Sequence, residues 1–214
     1  MSAPVSTLSS LRQLLAARFP QAARTDSRVL ATGLPAVDES VGGVPCGALT
    51  EIVCAAPSCG SQLLLGELLR SSRQACGRVA LVDAHDSFDP QSWPEDWLRH
   101  LVWVRCRDTS VALQAADILA RDANFQLLVI DVRLAALAEL RRTPASFWYR
   151  LQRAVEPADL ALVVLTPRAT VPSAGLRLQL DQSHPLSVLE QTRPELALAL
   201  VPVVQRQRLT AASA

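Results

Sequence analysis

The sequence predicts an α/β domain built on a mainly parallel central sheet that helices cover on both faces. Short apolar runs suited to strands alternate with segments whose apolar residues recur at helical spacing. The runs LLVID at 127–131 and LALVVLT at 160–166 are apolar almost throughout, which is typical of strands buried on both faces of a parallel sheet. Half of the 214 residues are apolar, which is enough for a substantial core and excludes a disordered chain.

An amphipathic helix is predicted near the start of the chain, ending at Pro20. Its apolar face consists of Leu8, Leu11, Leu15 and Phe19. This face either packs on the rest of the chain or docks on a partner. We assign residues 1–27 to this helix and a polar connector, 28–205 to the core domain, and 206–214 to a flexible C-terminal tail.

The core domain is predicted as strands and helices in alternation. Strands are predicted at 48–54, 78–83, 101–104, 126–132 and 160–166. Helices are predicted at 60–71, 109–121 and 135–155, the last interrupted near Pro144. Near the C-terminus, residues 175–180 and 196–204 are predicted as antiparallel edge strands without a strong helix between them.

The segment EIVCAAPSCGSQLLL lies where a strand, a phosphate-binding loop and a helix would follow one another. In a working GxxxxGK[ST] loop, backbone N–H groups cradle the phosphates, the lysine reaches the terminal phosphates and the hydroxyl holds magnesium. Here Ala55 replaces the first glycine, Gly60 keeps the second, Ser61 replaces the lysine and Gln62 replaces the hydroxyl residue, with Pro57 inside the loop. The whole chain contains no lysine. We therefore expect a degenerate loop that does not hydrolyse ATP. Weak nucleotide binding and compensation by an arginine both stay open.

Two further positions bear on nucleotide chemistry. Asp131 ends the LLVID strand, where it either resembles the carboxylate that holds nucleotide magnesium or caps the next turn. His85 follows another strand, in the place where a catalytic glutamate is expected. It is either a base or an ordinary polar loop residue.

The net charge of the chain limits the classes of partner that it can bind. The net charge of +1 excludes a broad electrostatic surface for nucleic acid. Four arginines form a local basic group: Arg141, Arg142, Arg150 and Arg153. This group is either a solvated helix face or a contact for nucleic acid or an acidic partner.

The five cysteines include no CxxC pair, and we expect reduced thiols, no metal site and no cofactor. With no signal sequence or membrane segment in view, we expect a cytoplasmic protein.

The sequence resembles the RecA-like ATPase core over about Val29 to Val204. The resemblance runs through TGLPAVDESVGGVPCGALTEIV, PSCGS, LVDAHDSFDP and LLVIDVRLAAL. It implies a RecA-like three-layer core, in which His85 occupies the catalytic-glutamate position. Within this group the chain most resembles ImuA, the small RecA-like accessory family of the bacterial SOS mutagenesis cassette. The likeness lies in its length, the loop form CGSQLLLGELL and its arginine-rich character.

The resemblance implies a protein that is not an enzyme and that works in the response to DNA damage. It would bind RecA, through a face such as Leu8, Leu11, Leu15 and Phe19, and a Y-family polymerase homologue to support translesion synthesis. Direct DNA contact would be weak or absent. The alternative is a division inhibitor of the SulA type, which is related to the same core and acts on FtsZ.

Overall fold

A computed structural model describes residues 28–207, apart from the side chain of Leu189. The strands are β1 Val29–Leu30, β2 Val44–Pro45, β3 Ala48–Cys54, β4 Val79–Asp83, β5 Leu101–Arg105, β6 Leu127–Asp131, β7 Ala161–Thr166, β8 Leu176–Leu180 and β9 Val203–Gln207. The α-helices are α1 Pro35–Val41, α2 Ser61–Gln74, α3 Glu95–Leu98, α4 Thr109–Leu119, α5 Leu137–Arg142, α6 Ala145–Val155 and α7 Arg193–Ala199. Short 3₁₀ helices span Pro90–Ser92 and Leu186–Glu190.

Seven strands form one sheet in the order β5-β4-β6-β7-β3-β8-β9. Neighbouring strands from β5 through to β8 are parallel, and β9 pairs antiparallel with β8. β1 and β2, which precede and follow α1 in the chain, pair with each other as a separate two-stranded antiparallel sheet. The predicted α/β class, with a mainly parallel sheet and an antiparallel pair at the C-terminal edge, is confirmed.

The sheet separates two apolar cores, because successive side chains on a strand point to opposite faces. On β4, Leu81 packs in the core beneath α2, whereas Ala80 and Val82 pack in the core beneath α4 and α6. The same alternation divides β6 and β7 between the two cores. The fold is therefore three-layered, with the sheet in the middle.

The prediction of a strand over 196–204 is wrong in its first half. Residues 193–199 form α7, and β9 begins only at Val203 and reaches Gln207. Thr192 and Glu195 form a reciprocal capping box that starts the helix, and Pro194 suits its first turn. A short apolar run such as LALAL fits a strand or a helix equally well, and these capping residues decide for a helix.

The predicted docking helix and its face, Leu8, Leu11, Leu15 and Phe19, lie outside the described residues. Within 28–207, no helix combines the length and the apolar character that crossing a bilayer requires.

Candidate functional site

The loop that the sequence marks as a degenerate phosphate-binding loop connects β3 to α2. β3 lies inside the sheet, between β7 and β8, and α2 begins at Ser61. Gly60 precedes the helix with a φ of +83°, a conformation that favours glycine. A Cβ built on Gly60 would lie 2.6 Å from Cδ1 of Leu200, so the packing also favours glycine here. The predicted strand–loop–helix connection is present.

A cleft of about 1170 Å³ opens over this loop. The predicted loop positions all line it: Ala55, Pro57, Gly60, Ser61 and Gln62. The structure thus brings these residues together at one site, at the carboxyl edge of the parallel strands where ligands of α/β sheets usually bind.

Arg133 supplies the positive charge at this loop. Its guanidinium donates from Nη1 to Ser61 Oγ at 2.8 Å and from Nη2 to Ser87 Oγ at 3.0 Å. With its amide oxygen turned toward the guanidinium, Gln62 also accepts from Nη1 at 2.9 Å. Only 11% of the Arg133 side chain is exposed. The residues that stand at the lysine and hydroxyl positions of the motif therefore contact an arginine from the same chain.

Asp131 is the ion-pair partner of this arginine. Its Oδ2 lies 3.4 Å from Arg133 Nη2, and its Oδ1 accepts from the Arg133 backbone N–H at 3.1 Å. Burial raises the pKa of the Asp131 carboxyl, and the Arg133 charge opposes that rise. The carboxylate therefore both caps the turn after β6 and pairs with the arginine.

A second buried carboxylate, Asp83, stands opposite Asp131 on the neighbouring strand β4. Ser87 Oγ lies between the two, 3.3 Å from Asp83 Oδ1 and 3.2 Å from Asp131 Oδ2. Asp83 Oδ2 also accepts from the Phe88 backbone N–H at 2.9 Å. These contacts join the ends of β4 and β6 into one polar network beneath the loop.

His85 takes no part in this network through its ring and does not line the cleft. Its backbone N–H donates to Asp83 Oδ1 at 3.2 Å. Its ring Nδ1 is buried without a hydrogen-bond partner among the described residues. The neighbouring Asp86 forms an exposed ion pair with Arg105.

The opposite wall of the cleft comes from the segment between β8 and β9. His184 donates its backbone N–H to Ser58 O at 3.1 Å, and Ser183 Oγ donates to Pro57 O at 3.2 Å. Farther along, Arg193 lies over the Trp93 ring at 4.5 Å. Apolar side chains complete this wall: Leu186, Val188 and Leu196. No carboxylate lines the cleft among residues 28–207.

Sequence reasoning missed Arg133, Ser87 and this opposite wall. Arg133 lies two residues after the strand-end Asp131, and that spacing is the signal that could have placed it beside the loop. The segment 183–196 is far from the loop in sequence and carries no such signal. Over the described part of the chain, no cluster of three or more histidine, cysteine or acidic side chains could hold a metal ion.

A scan against protein-family models and a search of curated proteins give no match for this chain.

Proposed function

We propose that the chain is a catalytically degenerate RecA-like protein of the cytoplasm, and an accessory factor in the SOS response to DNA damage. In this proposal it binds RecA and a Y-family polymerase homologue and supports translesion synthesis and mutagenesis. The choice of partners rests on the sequence resemblance. The structure contributes the argument that the output is binding rather than ATP hydrolysis.

The observation that carries this argument is the pairing of Arg133 with Asp131. In a nucleotide motor, a cation grips the terminal phosphate and a strand-end carboxylate holds magnesium. Here the cation and the carboxylate neutralise each other, and the guanidinium also donates to Ser61 and Ser87. Because these groups satisfy one another, a phosphate that bound the Arg133 guanidinium would have to displace contacts that the protein already makes.

A groove between α4 and the α5–α6 segment supports a role in protein binding. Its volume is about 850 Å³, and Ile118 on its rim is 71% exposed. Arg150 in the groove stacks on Phe147 at 5.2 Å and bonds to Asp117 at 3.1 Å. An exposed apolar side chain beside paired charges and a stacked arginine resembles the composition of protein interfaces.

Retention on RecA filaments tests the binding proposal. The purified full-length chain is passed over RecA assembled on single-stranded DNA, and over the immobilised polymerase homologue. We expect retention on both, and weaker retention on RecA for the double variant Leu11→Asp, Leu15→Asp. Ile118→Asp tests the groove, with Leu198→Asp as the matched control because Leu198 is an exposed helical leucine outside the groove.

Failure to bind either partner would contradict the proposal. Retention by immobilised FtsZ instead would favour the division inhibitor. Phosphate release from Mg-ATP is measured in parallel, with RecA as the positive control. We expect release at the background rate, and steady release that Asp131→Ala abolishes would overturn the non-catalytic assignment.

A further inference from the structure

The wall of the cleft that faces the loop carries an exposed arginine, Arg193, at the first position of α7. Its guanidinium lies 4.5 Å from the centre of the Trp93 ring and donates to the Ser92 carbonyl. Within residues 28–207, no carboxylate forms an ion pair with Arg193. The tryptophan and the carbonyl therefore hold a cation in place without neutralising its charge.

The other charged groups near the cleft are already engaged. Arg133 also lines the cleft, but its side chain is only 11% exposed and pairs with Asp131. Glu195 follows Arg193 closely in the chain, but its carboxylate accepts from the backbone and the hydroxyl of Thr192, at 2.8 Å each. Arg193 is therefore the charge in this cleft that a ligand can reach.

The cleft also presents apolar side chains to solvent. Leu134, on the side of the loop, is 62% exposed, and Leu186, on the opposite wall, is 85% exposed. Val188 and Leu196 extend the apolar surface of that wall. A ligand that covered these side chains would remove apolar surface from water, which is the dominant favourable contribution to most protein association. The site thus combines one accessible cation with apolar contacts on both sides.

We propose that the cleft binds an acidic peptide segment of a partner protein in which apolar residues are interspersed. A carboxylate of the peptide would pair with Arg193, and its apolar side chains would contact Leu134 and Leu186. The cleft volume of about 1170 Å³ exceeds the range of about 300–1,000 Å³ that is typical of small-molecule sites, which favours a peptide. This inference rests on the proposed role in protein binding but not on which proteins are bound.

The terminal segments of the chain itself have the wrong charge for this site. Residues 1–27 contain three arginines and one acidic residue, and residues 208–214 contain one arginine and no acidic residue. Either segment would bring like charge toward Arg193, which is unfavourable. Charge complementarity therefore favours a segment of another protein.

Selection from a phage library of random short peptides on the immobilised full-length chain tests the proposal without choosing a partner. We expect the enriched peptides to carry Asp or Glu interspersed with Leu, Ile or Phe. The same selection on Arg193→Glu should lose this enrichment, and selection on Arg78→Glu should keep it. Arg78 is the matched control because it is exposed, lies outside the cleft and precedes the amino end of β4.

Fluorescence anisotropy with the enriched acidic peptide then measures its affinity. Arg193→Glu and Leu186→Asp should each weaken binding by about tenfold or more, whereas Arg78→Glu and Leu198→Asp should bind as the wild type does. Replacing the acidic residues of the peptide by lysine should restore binding to Arg193→Glu, a rescue that a misfolded variant would not give. Ile118→Asp should leave the affinity unchanged, because Ile118 lies in the other groove.

The outcomes separate this inference from the proposed function. Binding of the acidic peptide without retention on RecA or on the polymerase homologue would refute that choice of partners and support the inference. Retention on those partners without any preference for acidic peptides would overturn the inference and leave the proposed function in place.

Three results would overturn the proposal. One is a selection that enriches basic or uncharged peptides, or no peptide at all. Another is an affinity of Arg193→Glu for the acidic peptide equal to that of the wild type. The third is displacement of the bound peptide by an equal concentration of Mg-ATP or decanoate, because the cleft would then be a site for a small anion.

Discussion

Several polar groups around the loop contact the charged guanidinium of Arg133. Its guanidinium contacts Ser61, Ser87 and Asp131, and little of it reaches solvent. Removing the guanidinium from this pair should be costly, because it leaves the buried Asp131 carboxylate as an uncompensated charge. At the residue scale, the site is therefore a closed set of mutually satisfied polar groups.

The ionisation of Asp131 should make stability depend on pH. Burial raises its folded-state pKa above the usual 3.8, so the folded protein binds this proton more tightly than the unfolded chain does. The resulting stabilisation is fully present below pH 3.8 and is lost as the pH rises through the raised pKa. Asp131→Asn cannot ionise, and we expect it to gain stability relative to the wild type as the pH rises.

Urea unfolding between about pH 3 and about pH 7 measures this difference in the free energy of unfolding. Asp181→Asn is the control, because Asp181 is exposed and its partner is the side chain of Gln179. If the difference in the free energy of unfolding between Asp131→Asn and the wild type does not change with pH, the raised pKa of Asp131 is contradicted.

At the scale of elements, β3 carries the loop at its end and a fully buried carboxylate in its middle. Glu51 Oε1 accepts from Thr166 Oγ1 at 3.0 Å, Thr170 N at 2.6 Å and Val171 N at 3.0 Å. Glu51 Oε2 accepts from Arg177 Nε at 2.6 Å. One side chain thus ties the connection between β7 and β8 to the strand between them.

Glu51→Gln should destabilise the protein by about 3 kcal/mol, because Arg177 would lose its buried counter-charge. Urea unfolding gives the free energy, and hydrogen exchange at the amides of Thr170 and Val171 should become faster. Glu95→Gln, at an exposed position in the first turn of α3, should change neither quantity measurably. A loss in Glu51→Gln no larger than that of Glu95→Gln would contradict this role.

Two glycines test how the loop is packed. Gly60 and Gly42 both have a φ near +80°, so an alanine at either should cost about 1 kcal/mol of backbone strain. A Cβ at Gly42 meets nothing within 4 Å, whereas one at Gly60 meets Leu200, which is itself only 1% exposed. Gly60→Ala should therefore lower the melting temperature more than Gly42→Ala does. Equal losses would show that the Leu200 side chain can move aside without a cost in stability.

At the scale of the whole molecule, one sheet serves two cores. Each central strand contributes side chains to both, so neither core can lose its order without disturbing the other. Trp93 and Trp103 pack against the core on the α2 side, and Trp148 lies in the core on the other side. The tryptophans thus report on the two faces separately.

We expect both faces to unfold in one urea transition. Trp148→Phe leaves fluorescence from the α2 side, and the combined variant Trp93→Phe, Trp97→Phe, Trp103→Phe leaves Trp148 alone. Within each variant, the fluorescence midpoint should coincide with the midpoint of far-ultraviolet circular dichroism. Separated midpoints in either variant would mean that the two layers unfold independently.

The sequence was informative where structure is local and less so where it depends on distant contacts. The central strands were predicted to within one or two residues, because runs such as LLVID are apolar on both faces. The loop register followed from neighbouring residues alone. The prediction of a strand over 196–204 is wrong in its first half because a short apolar run has no distinctive period, and the capping box of Thr192 and Glu195 starts a helix there.

The contacts of the site were less accessible to sequence reasoning. Ser61 and Arg133 are 72 positions apart, and His184 is farther still from Ser58. Nothing in the spacing of such residues fixes which side chains meet, because the strand order of the sheet decides it. The sequence therefore allows an arginine to compensate for the lost lysine but does not indicate that it is Arg133.

The pairing of Arg133 with Asp131 also limits which substitutions the loop can accept. A lysine introduced at position 61 would set its ammonium group against the guanidinium that now bonds there. Removing the guanidinium first would strand a buried carboxylate. Each of these single substitutions thus gives a form with an unbalanced charge. The Arg133–Asp131 pair therefore makes a phosphate-binding lysine difficult to introduce into this loop by one substitution at a time.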